Sequence, residues 1–160
     1  LKDYEFGKLK NKLLNDLIEK DGCMQWIRPY FLYGKNQHQN SLLKLALKNL
    51  DSNPTWMQNP FAINDFVYVA DLSNFVCNLI MEPQLSINEF DFGTGISSSN
   101  LDFVNQIRNI LGYNHYELEN LSKQIPLVSK NKKIFEVYPK FRFTKLRDGL
   151  TDVILKQGLY

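Results

Sequence analysis

The stretch FVYVADLSNFVCNLI, from Phe66 to Ile80, places a strand pattern directly before a helix pattern. Residues 66–69 are β-branched or aromatic and predict a short strand. Behind them, apolar residues recur with the spacing of one buried helix face: Leu72, Phe75, Val76, Leu79 and Ile80. A strand that leads into a helix of this kind is the unit from which α/β proteins are built.

The rest of the chain repeats this alternation. Strands are predicted at residues 23–28, ended by Pro29, and at residues 89–92. A first helix is predicted at residues 4–20 with Gly22 as its C-terminal cap, and a second begins after an N-cap at Ser41. The helix that follows the 66–69 strand ends at Glu82-Pro83. A fourth helix runs from a Ser99/Asp102 capping box to about Gly112, and the last covers residues 148–155. Asp71 and Thr144 are predicted as N-caps, residues 30–34 as an aromatic loop, and residues 113–133 as a variable connection.

Composition excludes several classes of protein. The 160 residues are 44% hydrophobic and 22% charged, the balance of an ordinary soluble globular domain. Nineteen basic and seventeen acidic side chains leave a net charge of +2, which predicts no nucleic-acid partner. Two cysteines and two distant histidines predict neither a disulfide framework nor a metal site. No segment has the ~20 apolar residues of a membrane helix, so we expect a cytoplasmic protein.

Tyr4 and Lys8 form the most informative pair of residues. At this spacing both side chains lie on one face of the predicted first helix. Acid/base work near neutral pH needs a tyrosine pKa about three pH units below its usual ~10, which corresponds to roughly 4 kcal/mol. One ammonium about 4 Å away supplies roughly that amount at an effective dielectric near 20. The alternative is a Tyr and a Lys that share a solvated face, since the pattern alone is common.

Two further segments each have a functional and a structural interpretation. Gly93 and Gly95 lie between a strand and a helix, as in a dinucleotide phosphate loop, but Ser98 holds the third glycine position. We therefore interpret them as a tight turn. The aromatic run of residues 28–34 follows a strand end, where ligands of open α/β sheets bind. Taken alone, that run is better explained as a hydrophobic plug over the core.

The order of these motifs resembles a known family over essentially the whole chain. In sequence they are Tyr4-Glu5-Phe6-Gly7-Lys8, Arg28-Pro29 through Tyr33-Gly34, Asp65 through Asp71, Gly93-Thr94-Gly95, Tyr138-Pro139 and Gly149-Leu150. This series resembles the C-terminal half of the extended short-chain dehydrogenase/reductases, the NAD-dependent epimerase/dehydratase family that acts on nucleotide sugars. Each motif is weak, but their shared order makes the resemblance specific to that superfamily.

The resemblance implies an α/β fold made of a partial Rossmann-type parallel sheet, containing its later strands, and a small α/β substrate-binding domain. Residues 1–34 would be a remnant of the NAD(P)-binding domain. Residues 35–160 would be mostly substrate-binding domain, with residues of about 64–82 returning to the Rossmann sheet. Because Leu1 is not Met and only three residues precede Tyr4, we expect a C-terminal part that lacks the glycine-rich phosphate loop.

The resemblance also implies roles for individual residues. Tyr4 would be the catalytic acid/base, and Lys8 would lower its pKa and hydrogen-bond the ribose of a bound NAD or NADP. The backbone of Pro29, Tyr30 and Phe31 would line the nicotinamide pocket.

Three predicted substrate positions depart from the family pattern. Phe31 stands where an Asn often contacts substrate, and Asn64 stands where an Arg commonly meets the nucleotide diphosphate. Lys35 replaces a Pro and could compensate for that loss of charge. Losing the Arg removes a bidentate, charge-assisted contact.

The resemblance predicts hydride transfer on a nucleotide sugar by an epimerase, dehydratase or 4-keto reductase. A non-catalytic module that binds a sugar nucleotide or a protein is the alternative, as is an inert truncated fragment. A homodimer through the first helix is a further expectation, because Leu13, Leu14 and Leu17 would suit such an interface. The same leucines would equally suit packing within the monomer.

Overall fold

The computed structural model describes residues 2–19, 24–83, 89–119, 125–130, 132–156 and 158. The described helices are α1 (Lys2–Ile18), α2 (Leu42–Lys48), α3 (Val69–Met81), α4 (Asn100–Ile110), α5 (Lys132–Val137) and α6 (Leu146–Thr151). A 3₁₀ turn lies at Pro54–Trp56, and a π-helical turn at Asp152–Lys156 continues α6. The described strands are β1 (Trp26–Pro29), β2 (Phe31–Tyr33), β3 (Ile63–Asn64), β4 (Phe66–Tyr68), β5 (Glu89–Phe92) and β6 (Ser98–Ser99).

The strands form three pairs. β1 pairs with β5 in parallel, and β2 pairs with β4 in parallel. β3 and β6 pair antiparallel. The chain passes from the first pair to the second within one peptide unit, because the Tyr30 N–H donates to Phe92 O and the Phe31 N–H donates to Asp65 O.

Strand β4 separates two hydrophobic cores. Its three residues are all buried, and successive side chains of a strand point to opposite faces. Phe66 and Tyr68 belong to a core formed with α2, α4 and α6, whereas Val67 belongs to a core with α3, α5 and β5. Burial on both faces explains why this stretch is continuously apolar rather than alternating.

Most predicted elements are present with shifted ends. The helices at α1, α2, α3 and α4 and the strand at Glu89–Phe92 are confirmed, as is the end of α3 before Glu82. The Ser41 cap is confirmed by its bond from the Lys44 N–H, and the Ser99/Asp102 capping box is complete. The α/β class with parallel strands is confirmed as well. Gly22 and Cys23 lie outside the described residues, so the predicted cap and strand start there stay predictions.

Three local predictions are wrong. Residues 31–33 form β2 rather than a loop, because β4 supplies the parallel partner that the local sequence does not reveal. Helix α3 begins at Val69, and its N-cap is Tyr68 rather than Asp71. Likewise Lys145, not Thr144, is the N-cap of α6. Helix α5 was not predicted, because it lies partly within the expected connection.

No helix in the described part of the chain is both long and apolar enough to cross a membrane.

Candidate functional site

A cavity of about 500 Å³ lies beside β2, the start of α2 and the first residue of α4. The residues that line it are uncharged and mix aromatic, apolar and carboxamide side chains: Phe31, Asn40, Leu42, Leu45, Trp56, Met57, Gln58, Asn59 and Asn100. Of the predicted site residues, Phe31 lies in this wall. The described lining carries no charge, so it offers hydrogen bonds and apolar contacts to a ligand but no ion pair.

A chain of amide hydrogen bonds supports the polar wall of the cavity. Asn64 Nδ2 donates to Asn100 Oδ1 at 2.9 Å, and Asn100 Nδ2 donates to Asn59 O at 2.8 Å. Asn64 stands at the position where the resemblance implies an Arg, and it contacts the cavity wall through Asn100. Sequence reasoning missed Asn59 and Asn100.

Two aromatic residues, Phe31 and Trp56, line the cavity. Phe31 is 43% exposed, and its ring packs edge-to-face on the Phe66 ring with centroids 5.2 Å apart. The Trp56 Nε1–H is buried and has no acceptor among the described residues. An unpaired buried donor costs about 1–3 kcal/mol.

Lys35 lies apart from this cavity. It is exposed in the turn after β2 and is not one of the lining residues. The compensation by Lys35 that the sequence suggested therefore has no support from the geometry of this cavity.

The predicted catalytic pair lies on α1. Lys8 is exposed, and its Nζ lies 3.5 Å from Glu5 Oε1. The side chain of Tyr4 lies outside the described residues, so its distance to Lys8 and its acid/base role stay predictions.

Pro29 and Tyr30 lie where the chain leaves β1. Pro29 is exposed and Tyr30 is half-buried. Burial raises the pKa of the Tyr30 phenol, and the nearby carboxylates of Asp91 and Asp65 raise it further. Tyr30 is thus a neutral phenol near pH 7, which suits packing or hydrogen-bond donation rather than proton abstraction.

Asp65 clamps the Gly93–Gly95 turn. Its carboxylate is fully buried and accepts from Thr94 N at 2.9 Å, Thr94 Oγ1 at 2.6 Å, Gly95 N at 2.9 Å and Ser129 N at 3.1 Å. A Cβ at position 93 would lie 2.6 Å from Asp65 Oδ2, which explains that glycine. The Thr94 and Gly95 N–H groups of this turn donate to Asp65, so they are engaged in a structural contact rather than presented to a dinucleotide phosphate.

Asp71 performs a similar function for the segment before α6. It is 4% exposed and accepts from Thr144 N at 2.8 Å and from Thr144 Oγ1 at 2.7 Å. Both residues were predicted as helix caps, but they bind each other across 73 positions of sequence. Nothing in the local pattern indicates that pairing.

Arg28 joins the β1–β5 pair from its exposed side. The guanidinium contacts Glu89 and lies 2.7 Å from Asp91 Oδ1. Hydrogen bonds to Asp91 and then Glu89 raise the pKa of the guanidinium. This arrangement satisfies Arg28 within the sheet.

Comparison with known proteins gives matches among solved structures alone. No protein-family model matches the chain, and no curated protein matches it. UDP-glucuronic acid 4-epimerase from Bacillus cereus, solved with UDP-glucuronic acid and NAD, matches 94% of this chain and 50% of its own, with a TM-score of 0.73 and 20% identity.

Two more solved structures give the same picture. RMD from Pseudomonas aeruginosa, complexed with NADPH, matches 88% of this chain and 49% of its own, with a TM-score of 0.68 and 11% identity. dTDP-glucose 4,6-dehydratase from Bacillus anthracis, in complex with NAD, matches 79% of this chain and 42% of its own, with a TM-score of 0.64 and 17% identity. The chain spans about half the length of these proteins or less, and over that span it has the fold of the NAD-dependent epimerases and dehydratases.

Proposed function

We propose that this chain is the later, substrate-facing part of an NAD(P)-dependent enzyme that transfers hydride on a nucleotide sugar. The observation that carries the proposal is the fold match over 94% of the chain to an epimerase solved with UDP-glucuronic acid and NAD. The cavity beside Phe31 supports it, because Phe31 lines the cavity and Asn64 donates a hydrogen bond to the lining residue Asn100.

In this proposal the chain's own residues handle a proton. Bound NAD or NADP supplies the acceptor and donor of hydride. Tyr4 takes the proton from a sugar hydroxyl or returns it to the carbonyl, and the ammonium of Lys8 lowers the pKa of the Tyr4 phenol. Phe31 and Asn64, through Asn100, line the place where substrate binds.

The described residues fit only the nicotinamide end of such a cofactor. The backbone of Pro29, Tyr30 and Phe31 crosses between two parallel strand pairs near the end of β1, and ligands of α/β sheets bind outside carboxyl ends. The Gly93–Gly95 turn is occupied by Asp65, and the 160 residues contain no glycine-rich phosphate loop. We expect the 160-residue chain to bind NAD more weakly than micromolar, measured by calorimetry.

Substitution of Tyr4 tests the catalytic role. The test uses an extended polypeptide, in which a cofactor-binding half with a glycine-rich phosphate loop is fused in frame before Leu1. In this polypeptide Tyr4→Phe should lower turnover about 10²–10⁴-fold because proton transfer is lost. Turnover is followed by NMR as the conversion of UDP-glucuronic acid in the presence of NAD, because an epimerase or dehydratase returns the hydride to the sugar and leaves no net NADH. Lys12→Gln, an exposed charge change elsewhere on α1, is the control. Near-normal turnover of Tyr4→Phe with intact cofactor binding would contradict the proposal.

A non-catalytic binding module is the second candidate. It is favoured by the fact that residues of this chain alone form the cavity of about 500 Å³. Binding of UDP-glucuronic acid to the 160-residue chain, together with no conversion of UDP-glucuronic acid by the extended polypeptide in the presence of NAD, would support the module over the enzyme.

A further inference from the structure

A second, smaller cavity lies between the Gly93–Gly95 turn and the segment before α6. Its volume is about 180 Å³, and Phe66, Phe143 and Leu146 are among the residues that line it. Phe66 lines this cavity whereas Phe31 lines the larger one, and the two rings are in contact at 5.2 Å. The residues to which the proposed function gives a catalytic or substrate-binding role are not among the described residues that line the small cavity.

Two buried carboxylates hold the walls of the small cavity in place. Asp65 fixes Thr94 through its backbone and hydroxyl, and Asp71 fixes Thr144 in the same way. Thr94 and Thr144 both line the cavity. A ligand therefore meets walls that are already ordered, which reduces the entropic cost of binding.

The volume of the cavity suits a ligand with a single ring. Apolar cavities of about 150 Å³ accommodate benzene in another protein, and this cavity is slightly larger at about 180 Å³. Ile96 also lines it and is 72% exposed, so the opening itself is partly apolar.

The same wall carries two positive charges. Arg142 and Lys145 line the cavity, and no acidic side chain does so among the described lining residues. Arg142 lines both this cavity and a neighbouring cavity of about 600 Å³, and its Nη1 donates to Pro139 O and Phe141 O of the neighbouring lining, each at 2.7 Å. The ion pairs found in the described part of the chain include neither Arg142 nor Lys145.

We propose that this cavity binds a small aromatic carboxylate, with the ring among Phe66, Phe143 and Leu146 and the carboxylate against Arg142 and Lys145. A planar carboxylate matches the fork of a guanidinium, and a nearby ammonium adds a second charge-assisted contact. The assignment is independent of the proposed function, since it requires neither Tyr4 nor a cofactor.

Benzoate and its uncharged analogue benzamide test the assignment by saturation-transfer NMR on the 160-residue chain. We expect benzoate to bind about tenfold more tightly than benzamide. Arg142→Gln and Lys145→Gln should each weaken benzoate about fivefold and leave benzamide within about twofold. Arg147→Gln makes the same charge change at an exposed site outside the cavity lining and should change neither ligand.

Methyl labelling of isoleucine locates the ligand. The Ile96 methyl should shift on addition of benzoate, whereas the Ile80 methyl, exposed on α3 and outside this lining, should not. Each variant is checked by its melting temperature. Absence of benzoate binding at millimolar concentration, equal affinities for the two ligands, or an unchanged Ile96 methyl would each overturn the assignment.

Discussion

Asp65 joins separate segments of the chain through one buried carboxylate. The donors come from the turn after β5 and from Ser129, about 30 and 64 positions away in sequence. Charged hydrogen bonds of this kind contribute more than neutral ones, and a buried carboxylate has no water to replace them. The residue therefore positions the turn that borders the small cavity.

Asp65→Asn should destabilise the fold strongly. The side-chain amide retains one acceptor but turns an N–H group toward backbone donors, so we expect the free energy of unfolding to fall by about 2–4 kcal/mol. Urea denaturation measures the change. Asp51→Asn, at an exposed position, should cost less than about 0.5 kcal/mol. Similar losses for both variants would contradict a clamping role.

The buried phenol of Tyr33 makes the free energy of unfolding depend on pH in the alkaline range. It is 2% exposed, its hydroxyl donates to Leu146 O at 3.3 Å, and a Cβ at Gly149 would overlap that hydroxyl. Burial, followed by the charge of Asp71, raises the pKa of this phenol. The unfolded chain then releases the Tyr33 proton near pH 10 while the folded chain retains it.

The sign of this linkage gives a measurable outcome. Because the folded pKa is raised, the stability contribution is complete below about pH 10 and decreases as pH rises further. Urea denaturation across this range should give a steeper loss for the native sequence than for Tyr33→Phe, which cannot ionise. Parallel pH profiles for the two proteins would contradict the assignment.

Among the elements, α1 presents an exposed apolar stripe. Phe6, Leu9, Leu13 and Leu17 are 60%, 65%, 51% and 37% exposed, whereas Leu14 is 7% exposed. The helix thus has one inward leucine and a row of outward ones. The predicted homodimer would use that outward row, and it stays a proposal.

Leu13→Ser and Leu14→Ser distinguish the two faces of α1. Leu13→Ser should weaken self-association at least about tenfold, measured by sedimentation, because it removes apolar surface from the proposed interface. Leu14→Ser should instead lower the free energy of unfolding by about 2 kcal/mol or more, since Leu14 is buried. If Leu13→Ser leaves association unchanged, the stripe is not an interface between copies.

At the scale of the whole molecule, the features that the sequence predicts are those formed by residues close together in the chain. The capping box of Ser99 and Asp102 spans three positions, and its residue types identify it directly. The pairing of Asp71 with Thr144 and of β2 with β4 depends on segments distant in sequence, which periodicity and propensity do not encode. The candidate cavity follows the same rule: Phe31 and Asn64 came from the motif order, but Asn59 and Asn100 required the fold.

The backbone between Tyr30 and Phe31 has a consequence for cooperativity. Their adjacent amides donate to Phe92 O, at the end of β5, and to Asp65 O, directly before β4, both at 3.0 Å. Hydrogen exchange at these two neighbouring positions therefore reports separately on the opening of each pair. Equal protection of the two amides would mean that both strand pairs open as one unit, whereas unequal protection would identify the pair that separates first.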